Sequence, residues 1–277
     1  MTALPPFRWH LDVWVVLGSL AAAYLIACRR HTERTGVPAS AHARRLFLGG
    51  VAVLMVGSLW PVHDLAERYL YMVHMWQHIL FTLVAAPLLV AGTPAWLWRD
   101  LLRTPTMRRV WRFLTRPVPA TILFNGVLLF THWPAVVTLS VQSELAHFLL
   151  HTLLLATAIV MWWPVVSPLP EMPPLSPPGQ MLYLFVQSLA PTIPASFLTF
   201  GSTPLYPIYA TFPRIWGVSA LTDQMIAGLS MKIVGGAILW TVVTVVFFRW
   251  GRRERDEGWD ALAWRNVDAE LRAKVGR

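Results

Sequence analysis

The sequence predicts an all-α, polytopic transmembrane helical bundle with about seven spans. Of the 277 residues, 56% are hydrophobic and only 13% are charged, and the mean hydropathy is +0.51. Soluble domains carry a charged share of about 25%. The apolar residues also fall into long runs, each close to the ~20 residues that a helix needs to cross a bilayer.

Seven apolar runs follow one another along the chain: Val13–Cys28, Leu46–Trp60, Tyr69–Gly92, Ala120–Trp133, Leu145–Pro164, Met181–Phe200 and Met225–Trp250. The first run follows Met1–Asp12, which has no obvious small-residue cleavage site, so we expect this span to be retained. The fifth and sixth runs are separated by the proline-rich stretch Trp163–Gln180, which predicts an extended connector because proline cannot continue a helix.

The last residues differ from the rest in composition. Residues 1–250 are predicted to form the transmembrane bundle, and residues 251–277 a cytoplasmic basic amphipathic tail. Within Glu254–Lys274, apolar and charged residues alternate at roughly helical spacing, which is typical of a helix lying on a membrane surface.

The distribution of basic residues predicts the orientation. Of the 23 Lys and Arg residues, 19 lie in the loops Arg29–Arg45 and Arg99–Arg116 or in the tail after Phe248. Positively charged loops stay in the cytoplasm, so the N-terminus is predicted outside and the C-terminus inside. The same bias explains the net charge of +9 without any nucleic-acid partner.

Two histidine pairs carry the functional signal. His74 and His78 lie four residues apart in the third run, as do His147 and His151 in the fifth. This spacing places both rings of a pair on one helical face. In the predicted orientation both pairs lie in the outer half of the membrane, where neutral imidazoles on facing helices would suit a transition metal or a haem iron.

Other polar and sulfur-bearing residues in the same layer complete the candidate metal ligands. Met231 and Met75 offer thioethers, which bind Cu(I), and Asp223 offers a carboxylate. Any single membrane histidine can instead be a hydrogen-bonded packing residue. The remaining histidines are predicted to be ordinary: His63 and His132 at the membrane interface, and His10, His31 and His42 exposed to solvent.

Three segments together resemble a known family. Tyr71–Pro94 (YMVHMWQHILFTLVAAPLLVAGTP), His147–Pro164 (HFLLHTLLLATAIVMWWP) and Asp223–Lys232 (DQMIAGLSMK) are similar, in this order, to motifs of the polytopic CtaG-type cytochrome c oxidase assembly factors. An unrelated single-span copper protein of the same name uses essential cysteines, whereas Cys28 stands alone in this chain.

The resemblance implies a function. It implies a multi-pass protein of the bacterial inner (plasma) membrane that is not an enzyme and helps to assemble a haem–copper terminal oxidase. The expected cargo is copper as Cu(I), delivered to the oxidase subunit that carries the CuB centre, with a periplasmic copper donor as a further possible partner.

Other classes of protein stay open at this stage. A membrane cytochrome would use the histidines as axial haem ligands, and a chaperone of the oxidase subunit would need no metal. Lys232 in the last span also resembles the lysine of a retinal protein, but the third run contains no Asp or Glu to act as its counter-ion. A transporter is a further alternative.

Overall fold

The computed structural model describes residues 4–258 and residue 272, and the described residues are all-helical. The helices follow in this order: α1 (Leu11–Thr35), α2 (Ala41–Ser58), α3 (Val62–Arg68), α4 (Tyr71–Gly92), α5 (Ala95–Leu101), α6 (Pro105–Leu114), α7 (Pro117–Thr131), α8 (Pro134–Gln142), α9 (Glu144–Val166), α10 (Pro177–Gln187), α11 (Thr192–Phe200), α12 (Pro207–Ala210) and α13 (Ala220–Gly258).

The spans agree with the predicted class of a polytopic bundle. Within the described residues, five helical stretches are long and apolar enough to cross a membrane, and the number rises to seven if two bent pairs each count as one span. The bent pairs are α2 with α3, at 46°, and α6 with α7, at 77°. Helix α7 has only 15 residues, or about 22 Å of rise. It is therefore about as long as the predicted fourth run, but too short to cross the ~30 Å hydrocarbon core by itself.

Helix α4 lies at the centre of the bundle and packs against α2, α9 and α13. Its middle turn, Leu80–Ala85, widens into a π-helix that begins two residues after His78. Such turns are frequent at functional sites. The carbonyl of Thr82 in this turn accepts a 2.7 Å hydrogen bond from the indole of buried Trp162, which connects α4 to α9.

Close backbone packing fixes the inner end of α4. A Cβ atom on Gly92 would lie 2.3 Å from the backbone nitrogen of Phe47 in α2, so only glycine fits there. The carbonyl of Gly92 also accepts a 2.8 Å hydrogen bond from Tyr24 of α1, whose ring stacks on Phe47. This contact joins α1 to a bundle that otherwise buries little of it.

The end with the basic loops is tied together by aromatic and charged contacts. Trp98, Trp111 and Trp163 pack ring against ring. The guanidinium of Arg99 donates a 2.6 Å hydrogen bond to Glu171 in the connector between α9 and α10, and this lowers the pKa of the Glu171 carboxyl. The proline-rich connector is thus held against α5.

The predicted tail begins inside a helix, because α13 continues through residues 251–258. Apart from these residues and Arg272, the predicted amphipathic segment Glu254–Lys274 lies outside the described residues. The charge pattern still predicts an outside N-terminus, since the helices alone do not fix the direction of the bundle.

Candidate metal site at one end of the bundle

The two histidine pairs face each other across α4 and α9, as their spacing predicts. Each pair occupies the first turns of its helix. The rings of His74 and His78 have centroids 4.5 Å apart, and those of His147 and His151 are 4.0 Å apart. Both helices begin at the same end of the bundle, so all four rings meet in one layer.

The contacts between the pairs are direct. The Nε2 atoms of His78 and His151 lie 3.2 Å apart, and the rings of His74 and His151 are centred 5.1 Å apart. His74, His147 and His151 each offer a nitrogen, and these nitrogens lie within 4.8 Å of one another. A metal ion bonded to imidazole nitrogens at about 2.0–2.1 Å holds two of them at most about 4.2 Å apart, so the rings would have to draw together around it.

His132 joins this cluster, contrary to the prediction that it is an ordinary interfacial residue. It follows the last residue of α7, is buried, and lies with its ring centre 5.6 Å from that of His78. Its Nδ1 lies 2.7 Å from the carbonyl of Leu128 and must therefore donate to it. This tautomer leaves Nε2 with a free lone pair, the state of a metal-ready histidine.

A glutamate and a further histidine approach from α3. Glu67 Oε1 lies 3.2 Å from His147 Nε2 and 3.5 Å from His74 Nδ1, and His63 lies with its ring centre 6.0 Å from that of His147. His63, Glu67 and His147 form a second group of possible ligands within 4.8 Å. Glu67 is not among the predicted ligands, and His63 is predicted to be ordinary, although their four-residue spacing repeats that of the two pairs.

The N-terminal segment covers this side of the cluster. His10 Nε2 lies 2.8 Å from a carboxylate oxygen of buried Asp64, and its ring is centred 4.7 Å from that of His63. The prediction that His10 is exposed to solvent is therefore wrong, because the chain before α1 folds back over α3. His31 is also half-buried, stacked on Trp96, whereas His42 is exposed as predicted.

The two candidate methionines lie on the other side of His78. Met75 and Met231 are buried, and both line an apolar pocket that also includes His78, His132 and Lys232. The pocket encloses about 660 Å³ of empty space, part of it open to the outside of the protein. Met225, six residues before Met231, is 40% exposed and does not line this pocket.

Asp223 is engaged elsewhere. Its two carboxylate oxygens accept hydrogen bonds from the backbone N–H groups of Tyr71 and Met72, at 2.9 and 2.8 Å, and Arg214 lies 3.5 Å away. The side chain therefore satisfies N–H groups at the start of α4. It belongs to neither group of possible ligands in the described part of the chain.

A comparison with known families shows the family of this chain. Residues 22–253 match the family described as cytochrome c oxidase caa3 assembly factor (Caa3_CtaG). The chain belongs to this family. No curated protein and no solved structure matches the chain significantly.

Within this assembly factor, several polar atoms at the cluster lack a partner. Glu67 Oε1, His74 Nδ1, His78 Nδ1 and His132 Nε2 are buried without a hydrogen-bond partner among the described residues. Leaving such an atom unsatisfied costs about 1–3 kcal/mol. Imidazole nitrogens and a carboxylate oxygen of this kind are groups that could hold a metal ion, and an ion bound among them would offset that cost.

Proposed function

We propose that this oxidase assembly factor binds copper, as Cu(I), at the histidine cluster and delivers it to the oxidase subunit that carries CuB. The observation that supports this most is the direct contact between His78 and His151, at 3.2 Å, inside a cluster of partly unsatisfied imidazoles. The proposed ligands are those that converge there: His74, His78, His147 and His151, with Met75 and Met231 alongside. Asp223 is left out because its oxygens already accept backbone hydrogen bonds.

The ligand types suit the cargo. Neutral imidazoles and thioethers are both ligands for Cu(I), and the described residues offer no thiolate near the cluster, since Cys28 is buried between α1 and α2. A site without thiolates holds copper less tightly, which favours transfer to another histidine site. CuB is itself ligated by histidines in a membrane subunit, so donor and acceptor would use the same chemistry.

The proposed setting follows from the charges. With the basic loops in the cytoplasm, the cluster lies near the outer face of a bacterial inner membrane, within reach of a periplasmic copper donor. The protein would perform no catalysis of its own, since transfer of an ion between ligand sets requires only binding and release.

The alternatives differ in what they require of the cluster. A haem would need its axial ligands on opposite faces of the macrocycle, whereas the contact between His78 and His151 leaves no gap between these two rings. A chaperone that works without metal would not need the unsatisfied nitrogens. Both alternatives predict that the protein binds no copper.

The experiment is Cu(I) binding by the full-length protein, purified in detergent and titrated without oxygen against a chromophoric chelator. We expect one bound copper per chain in the wild type and a large loss of affinity in the His78→Ala/His151→Ala double variant. The matched control is His42→Ala, which removes an exposed histidine. A wild type that binds no copper rejects the proposal, and a Soret band after purification would favour the cytochrome.

Copper delivery needs a second measurement. Cells that carry the double variant should contain oxidase with haem but with little CuB, whereas the His42→Ala cells should contain both. Normal CuB content in the double variant would mean that the cluster does not supply the oxidase.

A further inference from the structure

We propose that His63, Glu67 and His147 form a second copper site, which receives the ion before the inner site, that of His74, His78, His147 and His151. This inference rests on the proposed function and deepens it, because it assigns the order in which the ion meets its ligands. The three side chains come from α3 and α9, and their ligand atoms lie within 4.8 Å of one another. We call this group the receiving site.

The receiving site is placed on the approach to the cluster. His63 and Glu67 lie on α3, on the side that the N-terminal segment covers through His10. The side chain of Glu67 is 19% exposed, against 11% for both His74 and His147. An ion that arrives past α3 therefore meets this group first.

Glu67 connects the two sites. Its buried Oε1 lies between His147 Nε2, at 3.2 Å, and His74 Nδ1, at 3.5 Å, but makes no well-aligned hydrogen bond in the described chain. A carboxylate draws a cation to this point by charge. It is also a harder ligand than imidazole, so it should hold Cu(I) less tightly than the histidines beyond it. The ion therefore gains affinity as it moves inward.

His147 is common to both sites. A neutral imidazole has one nitrogen with a free lone pair and can bind one ion through it. The two sites therefore cannot be filled at the same time, and the protein carries one ion in either position. Rotation of the His147 ring would pass the ion from Glu67 and His63 to His74 and His151 without its release.

The test compares loading rate with equilibrium affinity in the full-length protein, using Cu(I) supplied by a weak soluble chelator. Glu67→Gln should slow loading about 10-fold, because a negative charge at the entrance raises the association rate of a cation. His63→Ala should also slow loading, and neither variant should change the final affinity much. Glu144→Gln is the matched control, because Glu144 is an exposed carboxylate at the same end of α9.

A second comparison uses stoichiometry. His151→Ala should still bind one copper, more weakly, through the receiving site, whereas His147→Ala should lose both sites. Wild type in excess Cu(I) should stay at one ion per chain. Two ions at saturation, or loading of His63→Ala at the wild-type rate, would overturn the inference.

These outcomes separate the two proposals. If wild type binds copper, and His63→Ala and Glu67→Gln behave as wild type, the inner site stands and the receiving site is rejected. If wild type binds no copper, the proposed function fails and the receiving site fails with it.

Discussion

The carboxylate of Asp223, in the last span, accepts a hydrogen bond from the backbone N–H of Tyr71 at the start of α4. The bond joins residues 152 positions apart and orients the helix that carries His74 and His78. A negative charge at a helix N-terminus is favourable because it satisfies free N–H groups and opposes the helix dipole. Asp223, itself a candidate ligand in the sequence, thus orients the helix that carries other candidate ligands.

Replacement of Asp223 should therefore lower the stability of the protein, and not the copper binding of the folded protein. Asp223→Ala should destabilise the protein by about 0.5–2 kcal/mol, the usual range for loss of a helix cap. Thermal unfolding in detergent measures this change, and the folded fraction should keep its copper. A variant of unchanged stability that loses copper would instead make Asp223 a ligand.

Met231 and Met225 together test whether a thioether is a copper ligand, with Met225 as the control. Met231 is buried in the pocket beside His78, whereas Met225 is exposed on the same helix. Met231→Leu keeps the volume and costs less than about 1.5 kcal/mol of stability, but it should lower Cu(I) affinity. Met225→Leu should leave affinity unchanged. Equal affinities in the two variants, measured by chelator competition, would remove the thioether from the site.

Lys232 tests whether a nearby positive charge tunes the site. Its Nζ donates a 2.6 Å hydrogen bond to Thr192 of α11, and the side chain is exposed although it lines the pocket. Because the ammonium is held by Thr192 and reaches outward, Lys232→Met should change Cu(I) affinity and oxidase activity little. A rise in affinity together with loss of CuB would show that its charge loosens the copper for transfer.

The orientation can be measured with single cysteines in a Cys28→Ala background. Ser202→Cys, in the exposed loop after α11, should react with an impermeant thiol reagent in intact cells. Thr106→Cys, exposed at the start of α6, should react only after the membrane is permeabilised. The reverse pattern would place the histidine cluster at the cytoplasmic face.

Gly92 should tolerate no side chain. Gly92→Ala places a methyl group against the backbone of Phe47, and overpacking of this kind typically costs about 1–3 kcal/mol. Gly126→Ala is the control, because a Cβ atom there meets no described atom within 4 Å. Similar melting temperatures for the two variants would contradict the close packing of α4 on α2.

The sequence was sufficient for the membrane class and for placing the two rings of each histidine pair on one helical face. Long apolar runs have few stable structures other than transmembrane helices, because within a bilayer the backbone groups must be hydrogen-bonded internally. The four-residue spacing of His74 with His78, and of His147 with His151, fixes a shared helical face by geometry alone. The family match over residues 22–253 agrees with the motifs read from the chain.

Only the tertiary structure decided which other side chains join the two histidine pairs. His132 and His63 lie at helix ends, where a histidine is ordinary, and their approach to the cluster depends on how α7 and α3 bend against their neighbours. Glu67 reaches His147 because the helix is interrupted between α3 and α4. The spacing of apolar residues in the sequence does not predict this interruption. Local patterns specify faces of single helices, whereas contacts between separate helices depend on packing angles, breaks and close glycine contacts that arise only when the whole bundle forms.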